Sequence, residues 1–163
     1  MEIRAMQNAD WESVKKIYEL GILTGNATFE TSAPSFELWD ASHLKFGRLV
    51  CVQDEIIVGW AALSAVSSRC VYGGVAEVSV YVHPEFKNKG VGKNLLIALI
   101  SESEANDIWT LQSGIFEENE ASIVLHLKCG FRQIGFRERI GKLNGVWKST
   151  LLLERRSNVV GTE

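Results

Sequence analysis

The chain lacks a long apolar run. No stretch approaches the roughly 20 consecutive apolar residues that a membrane-spanning helix needs. The first residues, MEIRAMQNADWESVKK, hold no apolar segment of the kind a secretory signal requires. The chain also lacks an excess of positive charge: 17 Lys and Arg stand against 20 Asp and Glu, for a net charge of −3. That balance argues against sequence-independent nucleic-acid binding, which needs a basic surface. Cysteine is scarce and odd in number, with Cys51, Cys70 and Cys129 at no metal-ligand spacing. We expect Cys51 and Cys129 to be inert core thiols and Cys70 to sit exposed in a polar loop. Linkers, repeats and low-complexity tracts are absent as well. The expectation is one soluble, cytoplasmic domain over residues 1–155, without metal, membrane or nucleic-acid partners, and a loose tail over 156–163.

What is present is enough apolar residue (46%) for a sizeable core. Residues 2–6 read as a short strand, and the apolar spacing from Asp10 to Leu23 as a helix. After a loop over Thr24–Pro34, Ser35 is placed to cap a second helix that carries Phe36, Leu38, Trp39 and Leu44. Strands follow at Arg48–Gln53, Ile56–Ala65 and Val75–His83, the last ended by Pro84. A helix from Gly90 to Ala105, a strand at Thr110–Phe116 and a helix at Asn119–Lys128 come next. Asn119 is placed to cap the last helix and Gly130 to end it in a left-handed conformation. Two final strands, Arg132–Lys142 and Val146–Glu154, are joined by Asn144-Gly145, a strong hairpin signal. The order βααβββαβαββ predicts an α/β (α+β) fold, with a mostly antiparallel sheet carrying helices on its faces.

The segment VYVHPEFKNKGVGK, Val80–Lys93, runs a strand into a loop that opens a helix, with Gly90 and Gly92 at the helix start. Glycines there let backbone N–H groups approach an anion, and the helix dipole favours it. A pyrophosphate cradle is one reading; a plain strand–loop–helix turn is the other. A Walker loop does not fit, because Lys87 stands at the first glycine position and Asn94 replaces the Ser or Thr. A dinucleotide fingerprint fails at Leu95, where its third glycine belongs.

The loop KNKGVG resembles the coenzyme-A signature Q/R-x-x-G-x-G/A of the GCN5-related N-acetyltransferase (GNAT) superfamily, and NEASIVLHLKCGF resembles its second signature. The stretches NATFET and SRCVYGGVAEVSVYVHP and the terminal Gly-x-Trp are similar to the phosphinothricin and methionine sulfoximine N-acetyltransferases. The similarity runs from about Ile3 to Leu153. Lys87 departs from the usual Gln or Arg, and Ser149 from the usual Asp two residues after the Trp. The resemblance implies the GNAT fold, acetyl-CoA as acetyl donor, a homodimer, and direct attack of a small amino-acid-like amine on the thioester. A protein- or peptide-directed acetyltransferase and a non-catalytic acetyl-CoA-binding module are the rival readings.

For this chemistry an amine must lose a proton and a thiolate must gain one. Glu77 is the candidate base: an acid amid Val75, Ala76 and Val78 is expected to be partly desolvated, with a raised pKa. The resemblance puts the subfamily's base at this residue; the alternative is an acid on an exposed strand face. His126, four residues after Ser122, is the candidate acid, or else a helix histidine packed on the sheet. The resemblance implies cofactor contacts from Val80, Tyr81 and Val82 through their backbone, and from the loop residues Asn88, Lys89, Gly90, Val91, Gly92 and Lys93. It adds Asn119, Ser122 and Lys128 to that set. Arg69 and Tyr72 are candidates for the acceptor, Arg69 through a carboxylate. Phe29 and Glu30 are candidate lining residues, and Lys142 a weaker one.

Overall fold

A computed structural model describes all 163 residues. Strand β1 (Glu2–Ala5) leads through α1 (Trp11–Leu23) and α2 (Phe36–Ser42) to β2 (Leu49–Gln53), β3 (Ile56–Ala65) and β4 (Val75–Val82). Then come α3 (Val91–Ala105), β5 (Thr110–Phe116), α4 (Glu120–Lys128), β6 (Arg132–Leu143) and β7 (Val146–Arg156). This is the expected order. The local signals act as read. The Ser35 hydroxyl accepts from the Leu38 N–H at the start of α2, and Gly130 takes φ +90° after α4. Asn144 and Gly145 both have positive φ, as a tight two-residue hairpin turn requires.

The strands form one sheet in the order β1-β2-β3-β4-β5-β7-β6. Only β4 and β5 run parallel; every other neighbouring pair is antiparallel. Because side chains alternate along a strand, the central strands are apolar on both faces. One face sets Leu49, Cys51, Leu63, Ala76, Val78, Leu111 and Leu153 against Val91, Leu95, Leu96 and Leu99 of α3. The other sets Val50, Trp60 and Ala62 against Trp11, Val14 and Ile17 of α1 and Trp39 of α2. Each fully buried Leu or Val contributes about 1.5–3 kcal/mol, so these two layers fix where β4 and β5 lie.

Arg4 of β1 holds Asp10 with two hydrogen bonds, of 2.7 and 3.0 Å, just before α1. That contact keeps the Asp10 carboxyl below its ordinary pKa despite its burial. Cys51 is buried, Cys129 half-buried and Cys70 exposed. The expected loose tail needs correction: β7 runs on to Arg156, and Ser157 is buried. The Ser157 hydroxyl donates to Glu104 of α3 at 2.8 Å, and its N–H donates to the Trp109 carbonyl at 2.7 Å. Polar capping, which leaves no apolar periodicity to read, anchors that end.

Candidate active site

β4 and β5 pair only at Val75↔Thr110, Ala76↔Leu111 and Glu77↔Gln112. Beyond Glu77 they part. β4 continues with β3 as far as Val82↔Gly59, and β5 continues with β7 as far as Phe116↔Thr150. The backbone groups of Val78–Val82 that face β5 therefore have no strand partner, and a gap opens inside the sheet. Unmet backbone groups of this kind seek an outside partner.

On the α3 side of the gap lies the helix start. Gly90 caps α3 with φ +83°, and Asn88 before it has φ +60°. The Asn94 N–H closes the first helical turn onto the Gly90 carbonyl at 3.0 Å. The N–H groups of Val91, Gly92 and Lys93 precede that bond and are left free. A Cβ on Gly92 would lie 3.1 Å from the Leu125 side chain and 3.5 Å from that of Val82, so this glycine lets α3, α4 and β4 meet closely. Lys87, Lys89 and Lys93 are exposed around the loop. The side chains of Val80 and Val82 lie on the α3 face, whereas Tyr81 lies on the other. The Asn119 side-chain oxygen Oδ1 accepts from the Ser122 N–H at 3.3 Å, capping α4. Lys128 is exposed in the last turn of α4, next to Cys129, which feels the Lys93 charge.

On the opposite face, the Glu77 carboxylate accepts from the Gln112 amide at 3.2 Å. Its expected desolvation is not found: Glu77 is exposed. Ala76 and Val78, adjacent in sequence, point to the α3 face, because neighbours on a strand alternate. Further along, the Tyr81 ring stacks on Trp60 and meets Tyr18 edge-on. Burial and the neighbouring Tyr18 push the Tyr81 phenol well above its ordinary pKa.

The loop of residues 24–34 crosses this face. Phe29 packs edge-on against Phe116 at 4.7 Å, close over Gly141, and Thr28 and Glu30 lie by the two tyrosines. Arg69 lies over the Tyr72 ring at 5.5 Å in the exposed segment before β4.

Lys142 is not brought to this cluster. It pairs across the hairpin with Trp147 and lies over that ring at 4.8 Å. Its neighbour Gly141 holds the face toward Phe29, so alternation turns Lys142 away. Gly141 instead pairs with Lys148, whose ammonium lies 5.5 Å over the Phe116 ring and 3.8 Å from Glu118. Lys148, Gln112 and Phe116 are the residues sequence reasoning missed. The β5–β7 register that gathers them is nonlocal, so no local pattern marks them.

His126 is buried, with 3% exposure, and meets Phe131 edge-on. Its Nδ1 lies 2.7 Å from the Ser122 carbonyl oxygen, so Nδ1 carries the proton and donates. Nε2 is buried without a partner, and burial pushes the ring pKa below its usual value. A neutral ring whose one free lone pair is buried and whose proton is engaged by Ser122 is a poor acid. The packed helix histidine is the arrangement found.

The model of the acetyltransferase (GNAT) family matches residues 8–131. A phosphinothricin N-acetyltransferase of Alcaligenes faecalis is 31% identical, over 98% of this chain and 84% of its own. An L-methionine sulfoximine/L-methionine sulfone acetyltransferase of Pseudomonas aeruginosa is 37% identical, over 89% and 88%. A phosphinothricin acetyltransferase of Sinorhizobium meliloti, solved in complex with acetyl-CoA, superposes with a TM-score of 0.91. It is 28% identical, and the match covers 99% of this chain and 91% of that one.

Proposed function

We propose, because the chain belongs to the acetyltransferase (GNAT) family and is an acyltransferase, that it acetylates the amine of a small amino-acid-like molecule. Acetyl-CoA is the donor. The acceptor is of the phosphinothricin, methionine sulfoximine or methionine sulfone type. One observation carries this reading: the sheet opens at Glu77, with a glycine-lined helix start on one face and the Phe29–Phe116–Lys148 cluster on the other.

The residues present fit the donor. Free N–H groups at the start of α3 suit a pyrophosphate. The unpaired edge of Val80–Val82 offers backbone hydrogen bonds to an extended amide chain. Acetyl-CoA supplies an activated acetyl group as a thioester. Glu77 takes the proton of the acceptor ammonium, directly or through one water, since only the neutral amine attacks. Arg69 holds a carboxylate beside that amine, and Phe29 and Phe116 cover the acceptor's apolar part. His126 orders α4 through Ser122, and the departing thiolate takes its proton from solvent. By the same resemblance we infer a homodimer, for which the exposed apolar Ile134, Phe136 and Ile140 of edge strand β6 are available.

The test is release of coenzyme-A thiol on adding a panel of amines. Amino acids of the named type should turn over, and their decarboxylated amines should have much lower kcat/KM. Release with peptides alone would move the function to a protein-directed enzyme. No release from any amine would leave a binding module.

A further inference from the structure

Among the residues around the gap, Gln112 stands apart. It is a half-buried amide in the middle of a strand. It is also the register partner of Glu77 at the last pair before β4 and β5 separate. Its Nε2 donates to Glu77 Oε2 at 3.2 Å. On its other side stands Glu154, the Gln112 partner on β7. The Glu154 carboxylate is taken by Arg132 of β6 at 3.1 Å. The only side-chain hydrogen bond found for the Gln112 amide is the one to Glu77.

We propose that Gln112 is a positioning residue that fixes the Glu77 carboxylate at the mouth of the gap; the proposal rests on Glu77 being the base. Glu77 is exposed, and a free glutamate carboxylate there would sample several rotamers. One donor from the facing strand leaves Oε1 as the oxygen that meets the acceptor. The donor's neutrality matters. An Arg or Lys at this position would favour the ionised carboxylate and weaken it as a base. A neutral amide orients it without adding a charge. Arg132 lies on β6, three strands from Glu77, and pairs with Glu154.

The experiment is a double-mutant cycle on kcat, with acceptor KM and acetyl-CoA Kd measured alongside. Gln112→Met keeps length and removes the donor; Gln112→Val is a second variant suited to a strand. Misplacing a catalytic group by an ångström costs up to about a hundredfold. We expect either substitution to lower kcat about tenfold, with KM and Kd unchanged, and to add no loss in a Glu77→Gln background. An undiminished kcat in both Gln112 variants while Glu77→Gln is impaired overturns this role and leaves Glu77 as the base. Equal losses in both backgrounds also overturn it, because Gln112 then acts independently of Glu77. Full activity of Glu77→Gln itself removes the base and this proposal together.

Discussion

Asn119 joins the first loop to the fourth helix. Its amide donates to the Asn26 carbonyl at 3.2 Å while its own oxygen accepts from the Ser122 N–H at 3.3 Å. One side chain thus caps α4 and anchors the loop that carries Phe29 over Phe116. The two tasks separate by substitution. Asn119→Asp keeps the cap and loses the donor, so it should retain stability and raise acceptor KM several-fold. Asn119→Ala loses both and should cost about 1 kcal/mol besides. Chemical denaturation and acceptor titrations measure the two effects. An unchanged KM in Asn119→Asp would detach the loop anchor from acceptor binding.

Glu77→Gln should lower kcat/KM on the order of a hundredfold, with acetyl-CoA affinity near normal. The deficit should be deepest at low pH, where the acceptor is protonated and needs a base. Raising the pH supplies neutral amine and should partly restore the variant. Parallel pH–rate profiles of similar height for variant and parent would make Glu77 a surface acid.

Gly92→Val places a methyl group where a Cβ already meets Leu125 and Val82. Those are flexible side-chain ends, so the fold should survive. Acetyl-CoA affinity, read by titration calorimetry, should drop at least about tenfold as the helix start is displaced. Gly90→Val should lose affinity for a different reason, since φ +83° is a left-handed conformation that a β-branched residue resists. Gly90→Asn tolerates that conformation and should bind better than Gly90→Val. Near-parental affinity in both valine variants would reject the cradle.

Acid should weaken the fold in two steps. Desolvation holds His43 and His126 below the ordinary value of 6.5. The unfolded chain therefore takes up those protons first as pH falls. The stability they carry is fully present above 6.5 and is lost below it. Asp10, held below 3.8 by Arg4, adds a second decline in the carboxylate range. Scanning calorimetry should give a flat Tm above pH 7 and a falling one below 6.5. The fall should flatten in His126→Gln. A Tm that rises between pH 6.5 and 5 would contradict the buried neutral rings.

Much of this was legible along the chain. The strands at Ile56–Ala65 and Thr110–Phe116, the caps at Ser35 and Asn119 and the hairpin at Asn144-Gly145 all rest on local patterns. What escaped is set by pairing across distance. Nothing in the apolar sequence of β7 tells that it inserts between β5 and β6. Lys142 reads as well as Lys148 until the hairpin register assigns each a face. Glu77 reads as enclosed by Val75, Ala76 and Val78 only if neighbours in sequence are taken as neighbours in space. Strand alternation denies that, and it carries the carboxylate to the open side.

The parting of β4 from β5 also bears on how two reactants would share the site. In the proposed reading the donor lies along the α3 face of this parting and the acceptor along the opposite face, so neither has to pass the other. Both can be seated at once. Initial-rate lines at several fixed levels of one reactant should then converge rather than run parallel. A dead-end analogue lodged on one face should compete only with the reactant that uses it.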